Sequence, residues 1–374
     1  MSLWQMRRFR RDPLGFLDNL SHRHPGGVFP LPWGGWCVGD AELARKVLTG
    51  KTFNGGRSIF FGEMLPTRSA QIEVGHAVRD IVGARLPDYR DRLAAAVDEM
   101  PAVTQWPTAG TELVYRCTAD TMLHPDSPPG LRRLLSQASR GNVLIRAPRI
   151  RQRARAQLLR NKLRAAVTEH VRDRRGEDTR HGEPRDVLDA IIDACPDEVD
   201  DRTVADLYML LFVSIVGTVG YSLAWSVLLA GLHAPAGSPW PWPADQIVRE
   251  ASRHRPLVWM VGRPAPYAIE LGGITFRTGD VVSVSPYLLH HDEHRWNHPG
   301  VFRPERWAES DGRGPYLPFS TGPFVCAGAA IAHTLITDAV TALTSAAPVT
   351  VIGGNLRPIV TNANTPRPFA LHRA

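Results

Sequence analysis

Cys326 lies in the string Pro318-Phe319-Ser320-Thr321-Gly322-Pro323-Phe324-Val325-Cys326-Ala327-Gly328, an apolar loop with one glycine four residues before the sulfur and another two after it. Glycines at those places let backbone amides turn towards the sulfur and let a flat ring approach the chain. The helical run Ala329 to Leu343 follows directly. A thiolate at a helix N-terminus is stabilised by the macrodipole and by free N–H groups. Those are the conditions for holding a heme iron through sulfur. A lone cysteine beside a turn is usually structural; the whole string F-x-x-G-x-x-x-C-x-G is what points to a ligand.

Glu250-Ala251-Ser252-Arg253 puts a carboxylate and a guanidinium at i, i+3 of a helix, within pairing reach. Such pairs are common on helix surfaces and worth little there. A further arginine follows in the proline-fixed segment Val301-Phe302-Arg303-Pro304-Glu305-Arg306-Trp307. Glu, Arg and Arg in that order, ahead of the cysteine loop, resembles the cytochrome P450 superfamily. The resemblance implies a mainly α fold with a small β-rich region near the N-terminus and around residues 263–285, as a single domain over residues 1–374. It implies that Glu250, Arg253 and Arg306 form a buried ionic triad that serves fold and heme retention. It also implies heme b (iron protoporphyrin IX), held between the helix of Thr218 and the loop of Cys326. Cys326 would be the metal ligand, with Phe319, Gly322, Phe324 and Gly328 shaping the cofactor face.

The resemblance covers nearly the whole chain. Asp12 to Leu17 looks like the family's opening helix, Val28 to Leu31 and Trp36 to Asp40 like its first hairpin, and Ala41 to Leu48 like the helix after it. Arg263 lies ten residues beyond Arg253 on a strand-like stretch and matches the arginine that grips a heme propionate. Leu271 to Phe276 reads as two strands joined by a glycine turn. His290 to Trp307 looks like the irregular stretch that leads to the cysteine loop.

Leu207 to Leu232 carries no charged residue and is long enough to cross a bilayer. It is internal and holds Ser214, Gly217, Thr218, Gly220, Tyr221 and Ser222, so a buried central helix is expected. In the resembled family such a helix crosses the distal face of the heme. Leu223-Ala224-Trp225 fixes the alignment and puts Thr218 on the family's oxygen-side threonine. The family usually has an acid just before it to relay protons; here that place is Gly217. General-acid relay needs a titratable group in hydrogen-bond reach, directly or through water. Gly217 offers none, though its missing side chain leaves room for water. Ile215 also stands where a small residue is usual. A purely structural role for Thr218, bonding back to a carbonyl one turn earlier, stays open.

The proximal loop departs as well. Two residues before the cysteine the family usually has Arg or His reaching a propionate; here it is Phe324. Arg263 and the region of Arg79 and His76 would then neutralise the propionates. Arg79 fits the family's heme-facing helix in register, and His76 is one place off; a solvated helix charge is the alternative for each. The resemblance places Phe60, Phe61, Met64, Leu257, Val258, Trp259 and Met260 around the substrate. Their apolar and aromatic types suit a hydrophobic or aromatic ligand, and plain core is the alternative for each.

The chain has 374 residues with 43% hydrophobic content, ordinary for a globular core. Cys37, Cys117, Cys195 and Cys326 are widely spaced, which argues against a disulfide framework and for a reducing, cytoplasmic compartment. Met1 to Arg8 is basic but has no apolar stretch behind it, so a signal peptide is not expected. Net charge is +7, and Arg140 to Ala165 holds Arg140, Arg146, Arg149, Arg151, Arg153, Arg155, Arg160, Lys162 and Arg164 with no acid. No nucleic-acid module accompanies that stripe, which argues against nucleic acid. Two readings remain: it docks an acidic carrier protein bearing the substrate, or it is a solvated helix face.

The expected function is a heme-thiolate monooxygenase acting on a hydrophobic or aromatic small molecule of specialised metabolism, without a membrane partner. No flavin- or nicotinamide-binding motif is present, so electrons would come from a ferredoxin or flavodoxin with an NAD(P)H-dependent reductase. The departures at Ile215, Gly217 and Phe324 keep two alternatives open. One is a peroxide-driven or ring-coupling oxidant; the other is a non-catalytic scaffold that activates a partner.

Overall fold

A computed structural model describes residues 3–140, 143–144, 150–176, 182–235, 237–310, 313–345 and 347–373, with the side chains of Leu3 and Trp4 excepted. Met1, Ser2 and two residues of the basic stripe, Arg146 and Arg149, lie outside the described residues.

The apolar run forms one central rod. Asp200 caps it by accepting from the Thr203 amide at 2.6 Å. The helix Asp201–Phe212 passes through a π-helical turn, Val213–Gly217, into the helix Thr218–His233. The Thr218 amide bonds to the Val213 carbonyl, five residues back, so one extra residue is inserted there. Core clusters pack along the rod. Leu207, Tyr208, Phe212 and Val216 meet Leu163, Val167, Leu188 and Ile191. Val219, Leu223 and Val227 share a cluster with Leu335, Ala339 and Val340 of the helix Ala329–Ser345. The helix Thr108–Met122 crosses at backbone contact, because a Cβ on Gly220 would lie 2.6 Å from the Thr111 Cα. The segment Asp201–His233 is long and apolar enough to span a membrane by composition, but over half of its most apolar window, 56%, is buried within the fold.

The expected β regions form a four-stranded sheet and a separate two-stranded hairpin. The hairpin Val28–Pro30 and Trp36–Val38 pairs Val28 with Val38. Trp36–Val38 then runs parallel to Val281–Val284, which pairs antiparallel with Val261–Pro264. This register puts Arg263 opposite Val282. The strands Ile269–Leu271 and Ile274–Phe276 turn at Gly272 and Gly273. A sheet that the sequence did not signal joins Val103–Trp106, Phe369–Arg373 and Val349–Ile352.

The stretch after Val281–Val284 carries a buried imidazole group. His290 donates from Nδ1 to the Arg253 carbonyl at 3.1 Å and accepts the Leu317 amide on Nε2 at 2.7 Å. His254 donates from Nε2 to the Gly300 carbonyl at 3.0 Å and accepts Arg255 on Nδ1 at 2.6 Å. His291 bonds the Tyr287 carbonyl at 2.9 Å. Burial is the first cause that pushes all three below 6.5, His290 to about 3, and the nearby arginines push the same way. The unfolded imidazoles take protons below pH 6.5 that the folded ones refuse. Stability from this group is therefore complete above pH 6.5 and falls as pH drops, by about 1.4 kcal/mol per pH unit per histidine. Urea midpoints between pH 7.5 and 5.5 should fall, and His290→Gln should reduce the slope by about one proton. An unchanged slope in the variant would contradict the neutral, buried state of His290.

Candidate functional site

The cysteine loop reverses through Ser320 and Gly322. Ser320 holds φ 63 and Gly322 φ 75. A Cβ on Gly322 would meet the Leu48 carbonyl oxygen at 2.4 Å, so only glycine fits against the helix Ala41–Thr49. The Cys326 amide donates to the Phe319 carbonyl at 3.0 Å and closes the loop. The Cys326 side chain emerges one turn before the helix Ala329–Ser345 and is exposed on one side. Its other surroundings still desolvate the thiol and raise its pKa, while the Gly328 amide, donating to the sulfur, opposes that shift. Val325, 52% exposed, continues the apolar rim. A bare sulfur at the start of a helix, beside apolar surface and an inward amide, is a ligand arrangement for a soft metal centre.

The expected triad is formed. Glu250 and Arg253 share the helix Ala244–His254, and Arg306 sits in the 3₁₀ turn Pro304–Trp307; all three are fully buried. Arg253 pairs bidentately with Glu250, Nη2 at 2.8 Å and Nε at 3.0 Å. Arg306 Nε reaches the same carboxylate at 3.0 Å. Two further donors, without a signature in the sequence, complete it: the Arg303 amide at 3.0 Å and Trp307 Nε1 at 3.1 Å.

Around Phe324 the arrangement differs from expectation. The Arg263 guanidinium lies 5.1 Å from the ring centroid, and that of Arg68 lies 5.0 Å from it. Asn54, buried at 2% exposure, anchors both: its Oδ1 accepts Arg263 Nε at 3.0 Å and its carbonyl accepts Arg68 Nη1 at 2.8 Å. Asn54 is fixed in turn by donating to the carbonyls of Val47 and Gly50. Burial lowers the Arg263 pKa. Among the described residues neither Arg68 nor Arg263 has a carboxylate partner. Arg79, by contrast, pairs with its neighbour Asp80 at 2.7 Å, and His76 is exposed. Arg68, at the start of the same helix Arg68–Ala84, is the cation that reaches the loop. Beside Arg263 and Phe324 lies a cavity of 550 Å³, lined also by Lys51 and Arg57.

On the central rod, Leu210, Ser214, Thr218 and Ser222 form a half-buried stripe at four-residue spacing, with Ile215 and Tyr221 beside it. Thr218 donates its hydroxyl to the Ser214 carbonyl, and Ser214 donates to that of Leu210 at 2.9 Å. Room for water beside Gly217 was expected; instead a Cβ there would meet the Leu144 Cβ at 3.2 Å, so an apolar side chain closes that place. The expected substrate residues divide. Phe60 and Val258 are exposed, and Phe61, Met64 and Leu257 are packed at the edge of the core. Trp259 and Met260 turn away into a cluster with Leu14, Leu17 and Phe29, because the first helix presents Phe9 to the Trp259 ring at 6.2 Å.

Glu250→Gln would leave two buried guanidiniums short of a counter-charge, so it should cost about 3–5 kcal/mol. Glu309→Gln, which breaks the exposed pair Arg303–Glu309, should cost under about 1 kcal/mol. Denaturant midpoints of the two variants check this, and equal losses would deny the triad its place in the fold.

The family model described as Cytochrome P450 matches residues 244–344, the span from the Glu250 helix to the helix after Cys326. Among curated proteins, cyclooctatin synthase of Streptomyces melanosporofaciens is 31% identical over 215 residues, 50% of this chain and 45% of the relative. Cytochrome P450 3A5 of Homo sapiens is 37% identical over 87 residues, 22% of this chain and 17% of the relative. The chain thus spans less than half the length of these curated relatives. Among solved structures, a zebra fish cytochrome P450 with progesterone has TM-score 0.76 at 20% identity, covering 96% of this chain and 99% of that one. P450BioI in complex with a hexadecenoic-acid-ligated acyl carrier protein has TM-score 0.74 at 17% identity, covering 98% and 100%. The Glu250 clamp, the glycine-turned cysteine loop and the bulged central helix thus sit in the fold of solved cytochrome P450s, and residues 244–344 match the Cytochrome P450 family model.

Proposed function

We propose that residues 1–374 act as one cytoplasmic heme-thiolate monooxygenase domain on a hydrophobic or aromatic small molecule of specialised metabolism. The observation that carries this reading is the exposed Cys326 at a helix start, in a loop whose Phe324 ring meets two guanidiniums without carboxylate partners among the described residues. Heme b bound there would supply one-electron and dioxygen chemistry, with the thiolate ligand favouring O–O cleavage. The residues fit it: Arg263 and Arg68, anchored on Asn54, would take its carboxylates, and Phe324 would space them where the family usually has a cation. Phe319, Gly322 and Gly328 would shape the loop against its flat face. Thr218 is the hydroxyl on the distal side; to pass a proton it must give up its bond to the Ser214 carbonyl. Phe60, Phe61, Met64 and Val258 would bound the substrate. Electrons would arrive from a ferredoxin or flavodoxin with its NAD(P)H-dependent reductase.

One observation favours a second reading. Gly217 offers no acid, and Leu144 closes the space beside it. A chain without a proton route there suits a peroxide-driven oxidant or a ring-coupling enzyme. Turnover with hydrogen peroxide alone, or a product lighter by two hydrogens with no oxygen gained, would select it. A carrier-bound substrate draws support from the exposed Arg151, Arg155 and Lys162. Loading the acid on a carrier should then tighten binding over the free acid, and equal affinities would remove that partner.

The absorption spectrum of the purified protein, reduced under carbon monoxide, tests the central reading. A strongly red-shifted Soret band, lost in Cys326→Ala, is expected. A folded protein that takes up no heme would sink both oxidant readings and leave a scaffold that activates a partner.

A further inference from the structure

A second concavity, of 600 Å³, lies away from the cysteine loop and has no place in the reading above. It is lined by Arg11, Asn355, Leu356, Arg357 and Arg367. Arg11 ends the first helix, Leu3–Arg11, whose sequence contains no acid. Arg357 and Arg367 flank the hairpin Ile359–Val360 and Asn364–Thr365. Every charged residue of the lining is therefore a guanidinium, and among the described residues no ion pair involves any of them. Their backbone is held firmly. Arg367 Nε donates to the Arg357 carbonyl at 3.1 Å, and the Arg357 amide donates to Asn355 Oδ1 at 2.9 Å. From beneath, Arg255 donates to the Leu356 carbonyl at 3.1 Å.

Two acids of the same N-terminal segment, Asp12 and Asp18, are engaged elsewhere. Asp12 accepts the Gly15 amide at 3.1 Å, and Asp18 accepts the Tyr287 hydroxyl at 2.8 Å. Basic residues at the end of the first helix complement its dipole, which accounts for Arg11 but not for Arg357 or Arg367. Three like charges that line one concavity repel, and an anion bound among them offsets that repulsion. Guanidinium forks match paired oxygens, and several forks around one point match a phosphoryl group better than a single carboxylate.

We propose that this concavity binds a phosphoryl group, with Arg11, Arg357 and Arg367 as its ligands. The group belongs either to a soluble phosphorylated compound or to a phospholipid headgroup. Inorganic pyrophosphate, titrated into the purified full chain at low salt by calorimetry, is the first probe. Saturable binding is expected, weakened about tenfold or more in R357Q/R367Q and also weakened in R11Q. R90Q/R92Q, on the helix Leu86–Asp98, should leave it unchanged. Absence of saturable binding, or an equal loss in the R90Q/R92Q control, would overturn the site. Sedimentation with phosphatidylglycerol–phosphatidylcholine vesicles then separates the sources. Vesicle binding that pyrophosphate displaces and R357Q/R367Q abolishes assigns a headgroup. Pyrophosphate binding without vesicle binding assigns a soluble compound.

Discussion

The carboxylate of Glu250 fixes more of this protein than any other group. It receives both forks of Arg253, the Nε of Arg306, the Arg303 amide and the Trp307 indole. The two arginines do more than neutralise it. Arg253 also donates to the carbonyls of His290, Pro299 and Val301, and Arg306 to those of Asn297, His298 and Val301. The stretch from His290 to Trp307 is mostly without helix or strand, so its buried carbonyls need partners from elsewhere. The guanidiniums are those partners, and the carboxylate keeps them buried. His290 extends the chain of dependence by accepting the Leu317 amide at the mouth of the cysteine loop. The position of the sulfur is thus traceable to the helix that carries Glu250.

The opposite side of the loop solves a different electrostatic problem. Arg68 and Arg263 come from segments far apart in the chain and meet over one aromatic ring. Like charges held this close repel, and burial of Arg263 adds a desolvation cost. Among the described residues this is offset by neutral acceptors, on Asn54 and the Gly262 carbonyl, and by the ring face. An arrangement of cations supported by neutral groups is incomplete on its own and is matched by a group that brings carboxylates. On the proposed reading, a phenylalanine two residues before the cysteine is compatible with a heme site, because Arg68 would supply the cation.

What could be read from the sequence follows from how local each interaction is. Glu250 and Arg253 are one helical turn apart, and the cysteine loop is a single contiguous string, so both were legible. So was the burial of the central rod, which has no charge to expose. Asn54 was not legible, because its bond to Arg263 joins residues 209 apart. Arg79 was the better match in register to a cation of the helix Arg68–Ala84, yet it meets Asp80 beside it, while Arg68 at the helix start reaches the loop. The burial of Trp259 depended on Phe9 in a helix at the far end of the chain. The β strand Val103–Trp106 was missed for the same reason, since its partners are the strands Phe369–Arg373 and, beyond it, Val349–Ile352.

The π-helical turn brings these constraints to the distal side. By inserting a residue it rotates Thr218 relative to the helix before it and aligns Ser214, Thr218 and Ser222 on one half-buried face. That face is polar in composition, yet the Ser214 and Thr218 hydroxyls are spent on backbone carbonyls one turn back. Releasing one costs a hydrogen bond, a modest barrier of about 1 kcal/mol. Reduction of dioxygen to water at such a site needs protons as well as electrons. Leu144 closes the flank at Gly217, so among the described residues the polar path along this helix is the hydroxyl stripe. A reaction whose oxidant already carries its protons, as hydrogen peroxide does, asks less of that stripe than one starting from dioxygen. On the proposed reading, the balance between the two chemistries would turn on how readily Thr218 leaves the Ser214 carbonyl.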